Sequence, residues 1–162
     1  MEASVPDPSE LTLARQLNHV LRTKGLTIAV AEGSSGGRLG ERLARYAGAS
    51  AYFKGAVVTY DHPSRAALLD IPATVLQTHG SVSEPSVRAM AESVRAKFQA
   101  NLGLASSGVT GPTGRGVGHL WLALATDTGT AAEEHRLAPA SRIALQRQFT
   151  ELALRMLYKA VA

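Results

Sequence analysis

The chain has 162 residues, with 17 Lys+Arg against 13 Asp+Glu and a sequence pI near 9.8. That length fits one ordinary domain, and a hydrophobic content of 45% excludes a disordered or low-complexity chain. Zero Cys excludes a disulfide framework, a thiolate nucleophile and a cysteine metal cluster. No apolar run approaches the roughly 20 residues of a membrane span, and the opening MEASVPDPSE lacks the basic-then-apolar order of a signal peptide. A cytoplasmic protein with no membrane partner is expected. The cations divide into 13 Arg and 4 Lys, and Arg suits bidentate contact with phosphate or carboxylate. Without a block of like charges or a stacking array of aromatics, nucleic acid ranks last among anionic partners.

A flexible tail is expected over residues 1–10, followed by a single domain over 11–162. Leu13, Leu17, Val20 and Leu21 recur at helical spacing and predict a first helix that stops near Gly25. The run LTIAVAE (26–32) lacks alternation, which predicts a strand buried on both faces. GSSGG then leads into RLGERLARYAG, where Leu39, Leu43, Tyr46 and Ala47 mark an apolar helix face. AYFKGAVVTY (51–60) has the β-branched and aromatic content of a second strand, and a short helix is expected after Asp61 with Pro63 in its first turn.

Ser81 and Glu84 have capping-box spacing ahead of a helix with the stripe Val87, Met90, Ala91, Val94 and Phe98. LGLASSG (102–108) reads as a strand, GVTGPTGRGVG as a Gly-rich loop, HLWLALAT (119–126) as another strand, and DTG as a hairpin turn into AAEEHRL. Leu145, Phe149, Leu152 and Met156 predict a final helix. Helices interleaved with apolar strands give an α/β fold class, a three-layer α/β/α sandwich around a mixed, mostly parallel sheet.

Two loops carry candidate chemistry. GSSGG (33–37) follows a buried strand and opens a helix, so its backbone N–H groups and the hydroxyls of Ser34 and Ser35 could hold an anion; equally, it is a tight turn with a serine cap. The loop 108–118 also leaves a strand and offers Thr110, Thr113 and Arg115, or it is simply a long connection. If the two preceding strands are parallel, both loops share the edge where open α/β sheets bind ligands. The five histidines have no ligand-like spacing, so no metal site is expected.

AEGSSGG, GASAYFKGAVVTYDHPSRAALLDIP, THGSVSEPSVRAMAE and SSGVTGP followed by VGHLWLALA resemble, in this order, the C-terminal domain of the CinA competence/damage-inducible family. The resemblance spans Leu13 to Leu157 and implies a nicotinamide mononucleotide amidohydrolase scaffold, without metal or other cofactor and oligomeric as a homo-oligomer. The metal-dependent pyrophosphatase domain that precedes it in some members is absent from this sequence, so a standalone form is expected. By the same resemblance Glu32, Gly36, Gly37, Tyr60, Gly108, Thr110, Gly111 and Arg142 contribute to a nucleotide cleft, with Arg142 on the phosphate; Arg65 joins them as a replacement phosphate clamp or is an idle surface cation.

Two departures bear on chemistry. Family members read AESCTGG, which places their nucleophilic serine on Gly33, and TYSNEAK, which places their activating lysine on Arg65. Glycine carries no nucleophile, and an arginine does not take a serine proton near neutral pH. The expected protein therefore keeps a cleft for a nucleotide-like small molecule and lacks the family chemistry. The alternative is a rebuilt amidohydrolase with Ser34 or Ser35 as nucleophile and His62 as base.

Overall fold

The computed structural model describes residues 9–162. Ser9 caps the first helix, α1 (Glu10–Lys24), accepting from the Thr12 N–H, and Gly25 closes it in the left-handed conformation with φ 64°. Of the expected tail, residues 1–8 lie outside the described residues, while Ser9 and Glu10 already belong to the helix start.

Strand β1 (Ile28–Glu32) is buried along its whole length. The helix that follows, α2 (Arg38–Ala44), is shorter than the apolar pattern predicts. Tyr46 and Ala47 lie past its end, where their carbonyls accept from the Asn18 amide at 3.4 and 3.3 Å. After a turn of 3-10 helix at Ala49–Ala51, β2 (Phe53–Val58) alternates half-buried and exposed residues, because it forms the edge of the sheet.

Asp61 caps α3 (His62–Leu69) in a reciprocal box with Ser64. A helix not foreseen from the sequence, α4 (Ala73–His79), follows. The next helix, α5 (Glu84–Lys97), is capped by Ser83, whose hydroxyl accepts from the Ser86 N–H. The expected cap, Ser81, lies before the helix and turns its carbonyl elsewhere. Strands β3 (Leu102–Gly108), β4 (His119–Ala125) and β5 (Thr130–Arg136) precede the long helix α6 (Arg142–Val161).

The sheet order is β2-β1-β3-β4-β5. The pairings β1–β2 and β1–β3 are parallel, and β3–β4 and β4–β5 antiparallel, so only β4 runs against the other four. One face packs α1, α2 and α6 over Val30, Leu104, Leu120 and Leu122; the other packs α3, α4 and α5 over Ala29, Ala31, Ala105 and Ala123. The alanines on the second face let α5 lie close. A Cβ on Gly103 would meet the Ala91 carbonyl at 2.2 Å, so that approach requires glycine. The three layers match the expected sandwich. From β1 the chain turns to β2 on one side and later to β3 on the other, which opens a crevice at the carboxyl ends of these strands.

Candidate active site cleft

The two Gly-rich loops leave adjacent parallel strands, and the Gly33 N–H donates to the Ser106 carbonyl at 2.9 Å. Beyond that tie a cleft of about 310 Å³ opens, within the size of small-molecule sites. Of the expected site residues it brings together Gly33, Ser34, Tyr60, Arg65, Gly108, Thr110, Gly111 and Arg142. It also includes Ser81, Val82, Ser107, Val109 and Thr113.

The remaining expected residues serve the scaffold. Glu32 is fully buried, and its carboxylate accepts the N–H groups of Leu39 and Gly40, each at 2.9 Å, and the Ser35 hydroxyl at 2.7 Å. It closes the first turn of α2, where a carboxylate also complements the helix dipole. Ser35 is thereby committed to Glu32 and does not line the cleft. Gly36 and Gly37 adopt φ of 62° and 101°, with Gly37 at the N-cap of α2; neither lines the cleft. His62, the expected alternative base, is exposed and lines a separate groove with Pro63 and Leu76. Arg115 is exposed and outside the lining.

Arg65 dominates the floor. Its residue is 4% exposed, Nη1 donates to the Ser81 carbonyl at 2.8 Å and lies 3.5 Å from Ser86 Oγ, and Nε has no partner. No carboxylate pairs with it among the described residues. Burial lowers its pKa to about 10, which leaves the guanidinium charged at neutral pH. Its Nη2 lies 2.6 Å from the point a Cβ on Gly33 would occupy. The guanidinium thus fills the volume that a side chain at position 33 would take.

At the mouth, Arg142 donates through Nη1 to the Gly111 carbonyl at 2.7 Å and through Nη2 to the hydroxyl of the exposed Tyr60. These bonds join α6, the second Gly-rich loop and the end of β2 across the opening. Ser34 Oγ is buried in the lining without a partner, while the Ser34 carbonyl accepts from Gln146 at 2.9 Å. Ser107 Oγ donates to the same Ser81 carbonyl at 2.8 Å, so Ser81 anchors both the floor arginine and β3. Reading Ser81 as a helix cap concealed this role; the visible signal was a second serine, Ser83, better spaced for the cap.

The lining holds two guanidinium groups and no His, Lys, Asp or Glu. Among the described residues no cluster of three His, Cys, Asp or Glu could hold a metal, and no helix is long and apolar enough to cross a membrane. The arrangement attracts anions and offers no proton acceptor suited to neutral pH.

A family profile described as the CinA C-terminal domain matches residues 10–161. A CinA-like protein of Gloeobacter violaceus is 41% identical over 157 residues, covering 94% of this chain and 37% of that protein. One from Cytophaga hutchinsonii is 42% identical over 121 residues, 72% of this chain and 29% of its own length. The chain therefore spans about a third of the length of these curated relatives. The crystal structure of competence/damage inducible protein CihA from Agrobacterium tumefaciens superposes with a TM-score of 0.90 at 28% identity, covering 96% of this chain and 98% of that one. That of competence damage-inducible protein A from Klebsiella pneumoniae gives 0.90 at 25% identity, with coverage of 94% and 96%. Profile, relatives and fold agree with the motif order read from the sequence, and the chain belongs to the CinA C-terminal domain family.

Proposed function

We propose that this protein binds a nucleotide-like anion in the cleft between its two Gly-rich loops and does not carry out the Ser/Lys amidohydrolysis of its family. The observation that carries the reading is the cleft's lining: Arg65 Nη2 stands 2.6 Å from where a residue-33 side chain would begin, and no lysine, histidine or carboxylate lies around it. A hydroxyl nucleophile needs a group that accepts its proton, and a charged guanidinium is not one. The same two arginines favour phosphate or carboxylate on the ligand. Its role is then regulatory or that of a partner to an active homologue, as a homo-oligomer in the cytoplasm.

Calorimetric titration of nicotinamide mononucleotide, with ammonia assayed in the same samples, tests this. Heat of binding without ammonia is the expected result. A second reading, amide hydrolysis by Ser34, is favoured by its buried, partnerless Oγ in the lining. Ammonia release that disappears in Ser34→Ala would establish that reading and overturn the first. Absence of both heat and ammonia would mean that the replacements changed the ligand itself.

A further inference from the structure

The first Gly-rich loop has few ties to its surroundings. Gly36 and Gly37 adopt φ of 62° and 101°, and glycine keeps one conformation only where its neighbours fix it. Among the described residues, two hydrogen bonds join the backbone of residues 33–37 to anything beyond β1 and α2. The Gly33 N–H donates to the Ser106 carbonyl, and the Ser34 carbonyl accepts from Gln146.

The second tie comes from α6. Gln146 is half-buried, and its Nε2 donates to the Ser34 carbonyl at 2.9 Å. One turn earlier Arg142 donates to the Gly111 carbonyl at 2.7 Å, and one turn later the buried Phe149 ring lies 2.6 Å from where a Cβ on Gly108 would begin. Positions 142, 146 and 149 recur at i, i+4 and i+7, so one stripe of one helix reaches both loops. The helix itself is held firmly: Ser141 caps it, and Leu145, Ala153, Leu154 and Leu157 are fully buried beneath it. Fixing the Ser34 carbonyl also fixes the planar peptide that joins Ser34 to Ser35, and so removes freedom that the flanking glycines would otherwise supply. Ser34 lines the cleft, so this peptide sets one of its walls.

Resting on the reading of the cleft as a ligand site, we infer that Gln146 is a positioning residue. Its donated hydrogen bond lets α6 hold the Gly33–Ser34 wall in register with the second loop, which the same helix holds through Arg142 and Phe149. Gln146 touches the loop and not the ligand; it acts through Ser34.

Hydrogen exchange with mass spectrometry on the whole chain, without ligand, tests the tether. Gln146→Glu keeps the shape and removes the donor, since the carboxylate is ionised at neutral pH. Exchange in residues 33–38, where the Gly36 N–H bonds the Gly33 carbonyl, should rise about five- to tenfold, as the loss of one hydrogen bond implies. Residues 109–118, where the Val109 and Gly118 N–H groups report, should keep wild-type rates, and Arg142→Gln should reverse the pattern. Gln146→Lys, which restores a donor, should return exchange in 33–38 to within about twofold of wild type. Gln146→Met, of similar length and without a donor, replaces Gln146→Glu if the added charge unfolds the protein. Unchanged exchange in 33–38 overturns the inference, as does an equal rise in both loops or a rise that Gln146→Lys does not reverse. Calorimetric titration of nicotinamide mononucleotide reads the consequence for the cleft: affinity should fall about fivefold in Gln146→Glu and recover in Gln146→Lys. Equal affinity in all three proteins overturns the positioning role. If wild type does not bind the nucleotide while the exchange pattern holds, the cleft reading fails and Gln146 still fixes the loop.

Discussion

Replacing Gly33 by serine tests whether Gly33 and Arg65 share one volume. Gly33 does not have a left-handed φ, so the backbone accepts a side chain; the obstacle is Arg65 Nη2 at 2.6 Å from the new Cβ. To reach an ordinary contact of 3.4 Å the guanidinium must retreat by about 0.8 Å. Its Nη1 bond to the Ser81 carbonyl, 2.8 Å long, lies on the same rigid plane and is strained or lost. Overpacking costs about 1–3 kcal/mol and a lost charged hydrogen bond a similar amount, so Gly33→Ser should destabilise by about 2–4 kcal/mol. Lysine at position 65 has no planar fork to collide. In an Arg65→Lys background the same serine should therefore cost under about 0.5 kcal/mol, giving a coupling of about 2 kcal/mol in a double-mutant cycle. Urea unfolding of wild type, both single variants and the double variant, followed by far-ultraviolet circular dichroism, measures it. Additive effects within about 0.5 kcal/mol would refute the shared-volume argument.

Glu32→Gln should destabilise by about 2 kcal/mol in the same assay, because a buried carboxylate holding two N–H groups and the Ser35 hydroxyl becomes a poorer acceptor. Gly103→Ala should cost more than about 2 kcal/mol in thermal unfolding, since its Cβ would strike the Ala91 carbonyl at 2.2 Å and neither backbone can yield cheaply. Burial alone would raise the Glu10 pKa, but hydrogen bonds from Arg38 and Arg42 outweigh it and hold the value below the ordinary 4.5. A depressed carboxylate pKa stabilises above the unfolded value and fades as pH falls through the folded one. Glu10→Gln should thus lower stability at pH 7, and the gap should close as pH falls below the ordinary carboxylate value and through the lowered folded one; a gap constant down to acid pH would contradict this.

The sequence by itself determined most of the fold, because local rules agree with tertiary demands there. Uninterrupted apolar residues at 28–32 and 102–108 form strands covered on both faces, and the stripes on α1, α5 and α6 face the sheet as their spacing requires. The family was equally legible, since it rests on residue order. Short elements were not. The helix α4 has no side-chain cap and only Leu76 buried, too weak a pattern to read in one dimension.

Tertiary structure alone decided where each site candidate lies. Glu32 and Ser35 adjoin Gly33 in sequence, yet the alternation of a strand and the tightness of the following turn send them under α2 rather than into the cleft. His62 is three residues from Arg65, but it opens α3 at the exposed helix end, while Arg65 is buried one turn further in. The sequence shows a glycine at 33 and an arginine at 65. Only the packing of α3 against the β1 loop shows that the guanidinium of Arg65 fills the space beside Gly33, because the 31 intervening residues carry no record of a 2.6 Å contact.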